Sequence, residues 1–277
     1  MHRFIQFCIN TNIIVAIAAL ALYKITEILF GFTDSQMSFF IFFSTLFAYN
    51  YMRINLIIDS KKTNYQSNWF KNYRKEVFFI LVTSAFFTFW YAYLLGFYFI
   101  KLIIVPSVIC LLYPWQFNIG KHVFGIRKIP LMKIFLISFT WSYITFAVPL
   151  MHQNIEIDYI KIDFFFQRIL FVIAISIPFD IRDINYDQIK TIPNTIGIYR
   201  SKLFAWFCLL LIDCLLIIDL INNTITLPYF IAFFLSIELC SVVIYCTAKN
   251  HSNMFYGVIV ESLSIIMCLF VLIASFI

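Results

Sequence analysis

Apolar segments long enough to cross a lipid bilayer recur from one end of this chain to the other. A hydrocarbon core about 30 Å thick is spanned by roughly 20 apolar residues in a helix. Hydrophobic residues make up 62% of the 277 residues and charged residues only 12%, which is too apolar for a soluble domain of this length. The bilayer is therefore the solvent for most of the chain, which we expect to be an integral membrane protein.

Nine segments are predicted to cross the membrane. Backbone polar groups in lipid must be paired within the protein, so the spans are helices, and the continuous apolar runs lack the alternation of a β-barrel. The sequence thus predicts an all-α, polytopic fold of nine transmembrane helices that forms one domain, residues 1–277. The predicted spans are residues 11–32, 36–58, 76–95, 97–114, 131–151, 162–180, 202–221, 225–247 and 253–277.

Lys and Arg residues are concentrated in alternate connections between these spans. The connections after the second, fourth, sixth and eighth spans carry them, whereas the turns near Asp34 and Gly96 and the segments 152–161 and 219–226 nearly lack them. The positive-inside rule places the basic connections in the cytoplasm, so the N-terminus is inside and the C-terminus outside. We expect a multi-pass protein of the bacterial cytoplasmic membrane. Its net charge of +6 follows from this topology and requires no nucleic-acid partner.

The end of the sixth predicted span carries the most informative motif, IPFDIRDINYDQIKTIPNTIG, residues 177–197. Asp180, Asp183 and Asp187 are spaced i, i+3 and i+7, which places them on one face of a helix. Three carboxylates on one face repel each other unless a cation lies between them, and Mg²⁺ prefers oxygen ligands that it shares with phosphates. Arg182 could hold a phosphate oxygen. The motif therefore predicts a magnesium-diphosphate site, with a solvated helix end as the alternative.

A second polar cluster interrupts the end of the second predicted span. Asn50, Arg53, Asn55 and Asp59 lie in an otherwise apolar helix, with Asn55 and Asp59 on a common face. Polar groups in a membrane helix usually face a cavity or a partner, although hydrogen bonding between helices is an alternative for the two asparagines. Both polar clusters fall on the same side by charge bias. We therefore expect them to line a central cavity that is open to the cytoplasmic side.

A third polar stretch follows the fourth predicted span, with Lys121, His122, Arg127 and Lys128 in the loop. Lys121 and Arg127 could contact a diphosphate or a polar acceptor. The alternative is a basic loop that lies near anionic lipid. In the last predicted span, Glu261 interrupts an apolar run and could face the cavity or form hydrogen bonds within the protein.

These motifs resemble those of the UbiA superfamily of intramembrane prenyltransferases over essentially the whole chain. DIRDINYD followed by KTIP and a glycine is similar to the second aspartate-rich motif of that superfamily, and LLYP before a basic loop and an acid in the last span also resemble it. The resemblance implies that Asp183 and Asp187 bind Mg²⁺. The first motif is degenerate, since the segment from Asn50 keeps only one carboxylate, at Asp59.

The resemblance further implies transfer of an isoprenoid chain from a prenyl diphosphate to a hydrophobic acceptor, aromatic or lipid-like. Asp59, with Asn55, would hold a second magnesium ion more weakly, and the prenyl tail would lie among apolar helices in contact with the bilayer. Arg53, Arg182 and Lys190 are the implied diphosphate contacts. Two other functions stay open: a protein of this fold that binds a polyprenyl or diphosphate ligand without turnover, and a transporter. A transporter is disfavoured because carrier sites tend to lie near the midplane of the membrane, whereas the charges of this chain cluster at one face.

Overall fold

The computed structural model describes residues 2–53, 69, 72–114, 117–119, 122–124, 131–184, 191–249 and 251–277. Helices form nearly all of the regular structure in these ranges, which confirms the all-α prediction. They are α1 (His2–Asn10), α2 (Ile13–Phe30), α3 (Ser35–Met52), α4 (Arg74–Leu112), α5 (Met132–His152), α6 (Tyr159–Asp183), α7 (Ile192–Ile196), α8 (Ile198–Ile221), α9 (Leu227–Cys246) and α10 (Phe255–Ala274). Two three-residue strands, β1 (Phe117–Ile119) and β2 (His122–Phe124), pair antiparallel between α4 and α5.

Seven helices in the described part of the chain are long and apolar enough to cross a membrane: α2, α4, α5, α6, α8, α9 and α10. Apart from α4, their bounds agree with the predicted spans to within about one helical turn. The 18-residue helix α3 coincides with most of the predicted second span. The count of nine crossings stays a prediction, and it depends on α3 and on the conformation of α4.

Helix α4 is too long for a single crossing. A continuous helix of its 39 residues would measure about 58 Å, roughly twice the hydrocarbon thickness. It is interrupted at Gly96, where φ is 89° and ψ is 175°. This region of backbone conformation is essentially restricted to glycine, because a Cβ atom makes it costly for other residues. Residues 74–95 and 97–112 are therefore two separate helical segments.

Ring contacts show that α3 runs antiparallel to the first segment of α4. Phe39 stacks on Tyr91 with ring centroids 5.2 Å apart. One turn later in α3, Phe43 stacks on Phe87, which lies one turn earlier in α4, at 4.7 Å. As the residue number rises along α3, the number of its partner falls. The two helices therefore point in opposite directions.

The second segment of α4 runs parallel to α3. Phe40 packs edge-on against Phe99 near the start of both, with ring centroids 4.8 Å apart. Towards their ends, the Tyr51 hydroxyl donates to the carbonyl oxygen of Leu111 at 3.4 Å. Since one segment of α4 is antiparallel to α3 and the other is parallel, the chain reverses at Gly96. This reversal agrees with the turn between the third and fourth predicted spans.

We expect Gly96→Ala to lower the free energy of unfolding by about 1–3 kcal/mol, because alanine at this φ and ψ is strained. A Cβ atom added at Gly96 would meet no atom of the surrounding residues within 4 Å, so the cost is local backbone strain and not a clash with a neighbouring helix. Thermal unfolding of the purified protein in detergent measures the loss. Gly31→Ala is the comparison, since Gly31 has a φ of 67°, and we expect a smaller effect there. Equal stability of Gly96→Ala and the parent would contradict the backbone conformation of residue 96, with its φ of 89°.

The N-terminal segment forms two helices, where the sequence predicted one span from residue 11. Helix α1 ends before Asn12, which has a φ of 60°, and α2 follows. Asn50 of α3 is 1% exposed, and it accepts a hydrogen bond from Asn12 Nδ2 at 3.2 Å. Its own Nδ2 donates to the carbonyl oxygens of Thr11 at 2.9 Å and Leu46 at 2.8 Å. Asn50 thus joins α3 to the break between α1 and α2.

The chain divides into two compact units. One contains Met1–Leu20 and Asp34–Lys128, and the other contains Ala21–Thr33 and Ile129–Ile277. Helices α3 and α4 form most of the first unit, whereas α5, α6 and α8–α10 belong to the second. The assignment of residues 1–277 to a single domain stays a prediction.

A buried arginine joins three helices within the second unit. Arg168 of α6 is 8% exposed, and its Nη1 donates to the carbonyl oxygen of Leu22 and to Thr26 Oγ1, at 2.9 Å for the latter. It also donates to the carbonyl oxygen of Thr145 at 3.2 Å, and its guanidinium carbon lies 5.3 Å from the ring centroid of Phe146. An unsatisfied guanidinium is costly in a membrane, and these acceptors of α2 and α5 pair with its Nη1 group.

One of these acceptors, the Thr145 carbonyl, lies in a π turn of α5 and four residues before a proline. The segment Tyr143–Ala147 interrupts α5, and the Val148 amide bonds to the Tyr143 carbonyl five residues back. The regular ladder of hydrogen bonds is opened there, as in other π turns. Pro149 has no N–H to donate to the Thr145 carbonyl, which instead accepts from Thr26 Oγ1 at 2.9 Å and from Arg168.

Candidate functional site

The C-terminal end of α6 carries two adjacent ion pairs. Lys133 Nζ, from the first turn of α5, lies 2.9 Å from Asp180 Oδ1. Arg182 binds Asp183 with two parallel hydrogen bonds: Nε to Oδ1 at 2.8 Å and Nη2 to Oδ2 at 3.0 Å. The planar guanidinium matches the two carboxylate oxygens, which makes this the stronger geometry for an arginine–carboxylate pair.

The two pairs differ in accessibility. Asp180 is 4% exposed, and a carboxylate so buried requires a partner such as Lys133 to compensate for lost hydration. In the second pair, 23% of the Arg182 side chain and 29% of the Asp183 side chain are exposed. The Arg182–Asp183 pair is therefore accessible to a ligand, whereas the Asp180–Lys133 pair supports the end of α6 from the interior.

Two aromatic rings hold the guanidinium of Arg182. Its central carbon lies 5.3 Å from the ring centroid of Phe179, in the preceding turn of α6, and 5.5 Å from that of Tyr256 in α10. Both distances are within the range of cation–π attraction. The ring of Tyr256 is fully buried, and its hydroxyl donates to the Ala248 carbonyl oxygen at 2.8 Å. Burial and this hydrogen bond thus fix the position of the Tyr256 ring, and the guanidinium of Arg182 packs against it.

A π turn at the start of α10 brings a further charge to the site. Residues five apart in an α-helix point roughly 140° apart. In the turn Phe255–Val260 the helix is wider, and the Glu261 amide bonds to the Tyr256 carbonyl oxygen, five residues back, at 3.4 Å. The angle between the directions of Tyr256 and Glu261 is therefore smaller than in an α-helix. The carboxylate of Glu261 acts on Arg182 electrostatically.

The structure brings together three residues that the sequence predicted for the site: Asp180, Arg182 and Asp183. Asn50 is buried and bonded within the protein, which is the helix-bonding alternative that the sequence left open for it. Arg53 ends α3 and is half-buried. Six predicted site residues lie outside the described residues: Asn55, Asp59, Lys121, Arg127, Asp187 and Lys190.

Two residues of this cluster cannot be identified as site residues from the sequence. A charge count assigns Lys133 only to a basic connection, and its position in the first turn of α5, opposite Asp180, is not visible there. Tyr256 is one of 16 tyrosines, and no motif surrounds it. Its contact with Arg182 depends on the packing of α10 beside α6. Glu261 stands out in the sequence by its charge, but its action on Arg182 could not be predicted.

The donor chemistry at this end of α6 is suited to a hard cation. Mg²⁺ binds through carboxylate oxygens, phosphates and water. In the described ranges, no group of three or more His, Cys, Asp and Glu side chains could hold a metal ion. Asp183, however, presents two accessible carboxylate oxygens that already bind a cationic group. Asp183 therefore fits a magnesium ligand, with Asp187 and Asp59 as the further ligands that the sequence predicts.

Comparison with known proteins identifies the fold. The apo structure of a UbiA homolog from Aeropyrum pernix K1 matches with a TM-score of 0.67 and 14% sequence identity, over 94% of this chain and 98% of that chain. A structure described as giving insights into the biosynthesis of digeranylgeranylglyceryl phosphate synthase in membranes matches with a TM-score of 0.55 and 17% identity, over 99% and 98%. No family model and no curated protein matches this chain.

The chain therefore has the UbiA fold. Together with the apolar helices, this fold makes it an integral, multi-pass membrane protein. The recognition of the UbiA superfamily from the aspartate-rich motifs is thus confirmed at the level of the fold. The orientation of the termini and the bacterial membrane stay predictions.

Proposed function

We propose that this protein is a magnesium-dependent intramembrane prenyltransferase, which transfers an isoprenoid chain from a prenyl diphosphate to a hydrophobic acceptor. The observation that carries the proposal is the accessible Arg182–Asp183 pair, in a chain with the UbiA fold. Carboxylates that bind metal and basic groups that bind phosphate are the two components that such a reaction needs. Both lie at the end of one apolar helix.

The reaction requires the bond between the allylic carbon and the diphosphate oxygen to break. Bound Mg²⁺ supplies positive charge that stabilises the departing diphosphate. Asp183, Asp187 and Asp59 are the residues that would hold it. Arg182 would donate N–H groups to the diphosphate, and the candidate contacts beyond it are Arg53, Lys121, Arg127 and Lys190. The ion pair with Lys133 compensates the buried negative charge of Asp180, so the end of α6 stays packed.

The prenyl chain is apolar and would lie among the helices, in contact with lipid. The acceptor approaches from the membrane, which favours a hydrophobic molecule, aromatic or lipid-like. Since 35 residues are phenylalanine, several rings are available to stabilise an allylic cation. The proposal does not depend on any single one of them.

A second function is supported by the degenerate first motif. The amide of Asn50 is bonded to Thr11, Asn12 and Leu46, and Asp59 is the only carboxylate that remains in that motif. A protein of this fold with one weakened metal position could bind a prenyl diphosphate without cleaving it. Release of diphosphate from a prenyl donor, measured with and without Mg²⁺, distinguishes an enzyme from a binding protein.

The degenerate motif also predicts that the two magnesium positions differ in affinity. Asp59→Ala is expected to raise the magnesium concentration for half-maximal diphosphate release by roughly tenfold, which corresponds to ~1.4 kcal/mol of binding free energy. Asn55→Asp is expected to lower it, because a carboxylate adds charge that the amide lacks. The measurement is diphosphate release against magnesium concentration. Glu156→Ala, in the connection between α5 and α6, is the control, and an unchanged requirement in Asp59→Ala would contradict a metal role for Asp59.

A further inference from the structure

Arg182 and a metal ion compete for the same carboxylate. Both oxygens of Asp183 accept N–H groups from Arg182, at 2.8 and 3.0 Å. Each oxygen keeps a second lone pair that could ligate Mg²⁺, so the competition arises from charge and not from a shortage of lone pairs. A divalent cation at Asp183 would also lie within a few ångströms of the guanidinium, and like charges at that distance repel each other strongly. Arg182 on Asp183 and a metal ion on Asp183 are therefore unfavourable together.

We infer that Arg182 occupies Asp183 in the metal-free protein, and that it transfers to the diphosphate when the metal ion binds. This inference rests on the proposed function, since it concerns the same metal and diphosphate site. In one state the guanidinium neutralises Asp183. In the other state the metal ion neutralises Asp183, and the freed N–H groups bind phosphate oxygens. A guanidinium is suited to both, because carboxylate and phosphate each accept its two parallel hydrogen bonds.

The surroundings of Arg182 permit this movement. Both members of the pair are partly exposed, so a metal ion and a phosphate can reach them. The contacts of the guanidinium with the rings of Phe179 and Tyr256 do not involve Asp183, so the rings can hold it near the site in either state. Glu261 also acts on Arg182 electrostatically, which leaves a negative charge near the guanidinium after it departs from Asp183.

Cooperative binding follows from this arrangement. The metal ion favours the state in which Arg182 has left Asp183, and diphosphate favours the same state. A ligand shifts such an equilibrium by its differential affinity for the two states. The metal ion therefore strengthens diphosphate binding, and diphosphate strengthens metal binding by the same factor. Metal ion or diphosphate alone binds weakly because each must first displace Arg182 from Asp183.

Direct binding measurements on the purified full-length protein test this inference. Mn²⁺, which replaces Mg²⁺ and is detected by electron paramagnetic resonance, is titrated without phosphate. Radiolabelled inorganic pyrophosphate is then titrated by equilibrium dialysis at saturating Mn²⁺. We expect Arg182→Gln to bind Mn²⁺ alone about tenfold more tightly than the parent, because no guanidinium has to leave Asp183. We expect it to bind pyrophosphate about tenfold more weakly, because the charged hydrogen bonds to the phosphate oxygens are lost.

The exchange predicts that the affinity of Arg182→Gln rises for Mn²⁺ and falls for pyrophosphate, and simpler roles of Arg182 do not predict this combination. If Arg182 only held Asp183 in position, both affinities would fall in Arg182→Gln. If Arg182 only contacted diphosphate, the affinity for Mn²⁺ alone would not change. Either outcome would overturn the exchange. Arg182→Lys is the second variant, in case Arg182→Gln does not fold, and we expect it to show the same signs with smaller changes, because an ammonium cannot bind both oxygens in parallel.

Two control variants separate this inference from the proposed function. Arg200→Gln removes an exposed arginine at the start of α8 and is expected to leave both affinities unchanged. Asp183→Asn is expected to weaken Mn²⁺ binding. If Asp183→Asn binds Mn²⁺ like the parent, the metal assignment itself is wrong and the proposed function fails. If only the Arg182 variants differ from expectation, the exchange is wrong and the metal site stands.

Discussion

Asp183→Asn is expected to reduce diphosphate release from a prenyl diphosphate by about a hundredfold to a thousandfold, the range found when a group that stabilises developing charge is removed. Asparagine keeps the size of the side chain and one oxygen, but it lacks the charge that retains a divalent cation. The same substitution leaves Arg182, which contacts two rings and is only 23% exposed, without the carboxylate that binds it. The measurement is release of labelled diphosphate at saturating Mg²⁺.

Glu238→Gln is the matched control for Asp183→Asn. It also converts an acid to its amide within a predicted membrane helix, α9, but Glu238 is exposed on that helix and does not belong to the cluster at the end of α6. We expect its activity to stay within about twofold of the parent, as for a surface substitution. If Asp183→Asn keeps parental activity, the acids of α6 are only a solvated helix end. The enzyme proposal would then be wrong.

Arg168→Ala is expected to lower the free energy of unfolding by about 2–4 kcal/mol, since it removes several buried hydrogen bonds and leaves a cavity. The Leu22 carbonyl, Thr26 and the Thr145 carbonyl all lose a donor. For a chain of this size, the midpoint of thermal unfolding should fall by about 5–15 °C. The measurement is tryptophan fluorescence during heating in detergent.

Arg200→Ala is the control for Arg168→Ala, because it removes the same side chain from an exposed position in α8. We expect its unfolding midpoint to stay within about 2 °C of the parent. If Arg168→Ala is as stable as the parent, the hydrogen bonds from Arg168 do not join α2, α5 and α6. If it is more stable, the cost of burying the guanidinium exceeds the benefit of its bonds.

Much of the fold was predictable because a membrane helix has a simple requirement. A span needs roughly 20 apolar residues, so α2, α5, α6, α8, α9 and α10 were found from composition along the chain. The turn at Gly96 was predicted as the boundary between two apolar spans, in a connection that nearly lacks Lys and Arg. Its physical basis, a φ of 89° that reverses the chain, appears only in the backbone conformation.

The site was predictable in part, for a related reason. Charged residues are rare in membrane helices, and the acids of α6 stood out with a helical spacing, next to Arg182. Their partners did not stand out. Lys133 comes from another helix, 47 residues earlier in the chain, and Tyr256 comes from α10. The role of Asn50 was also undecided, since an asparagine in a membrane helix can face a cavity or bond to another helix.

The sequence by itself determined that this protein lies in the membrane as helices, and that carboxylates and an arginine meet at the end of α6. Both follow from the chemistry of neighbouring residues and from helical periodicity, which are local properties. Only the tertiary structure decided how those charges pair. Tyr256 of α10 packs against Arg182, and the Thr145 carbonyl of α5 accepts a hydrogen bond from Arg168. These contacts are made between helices that are distant in the sequence, and helical periodicity within one segment does not specify its partner in another.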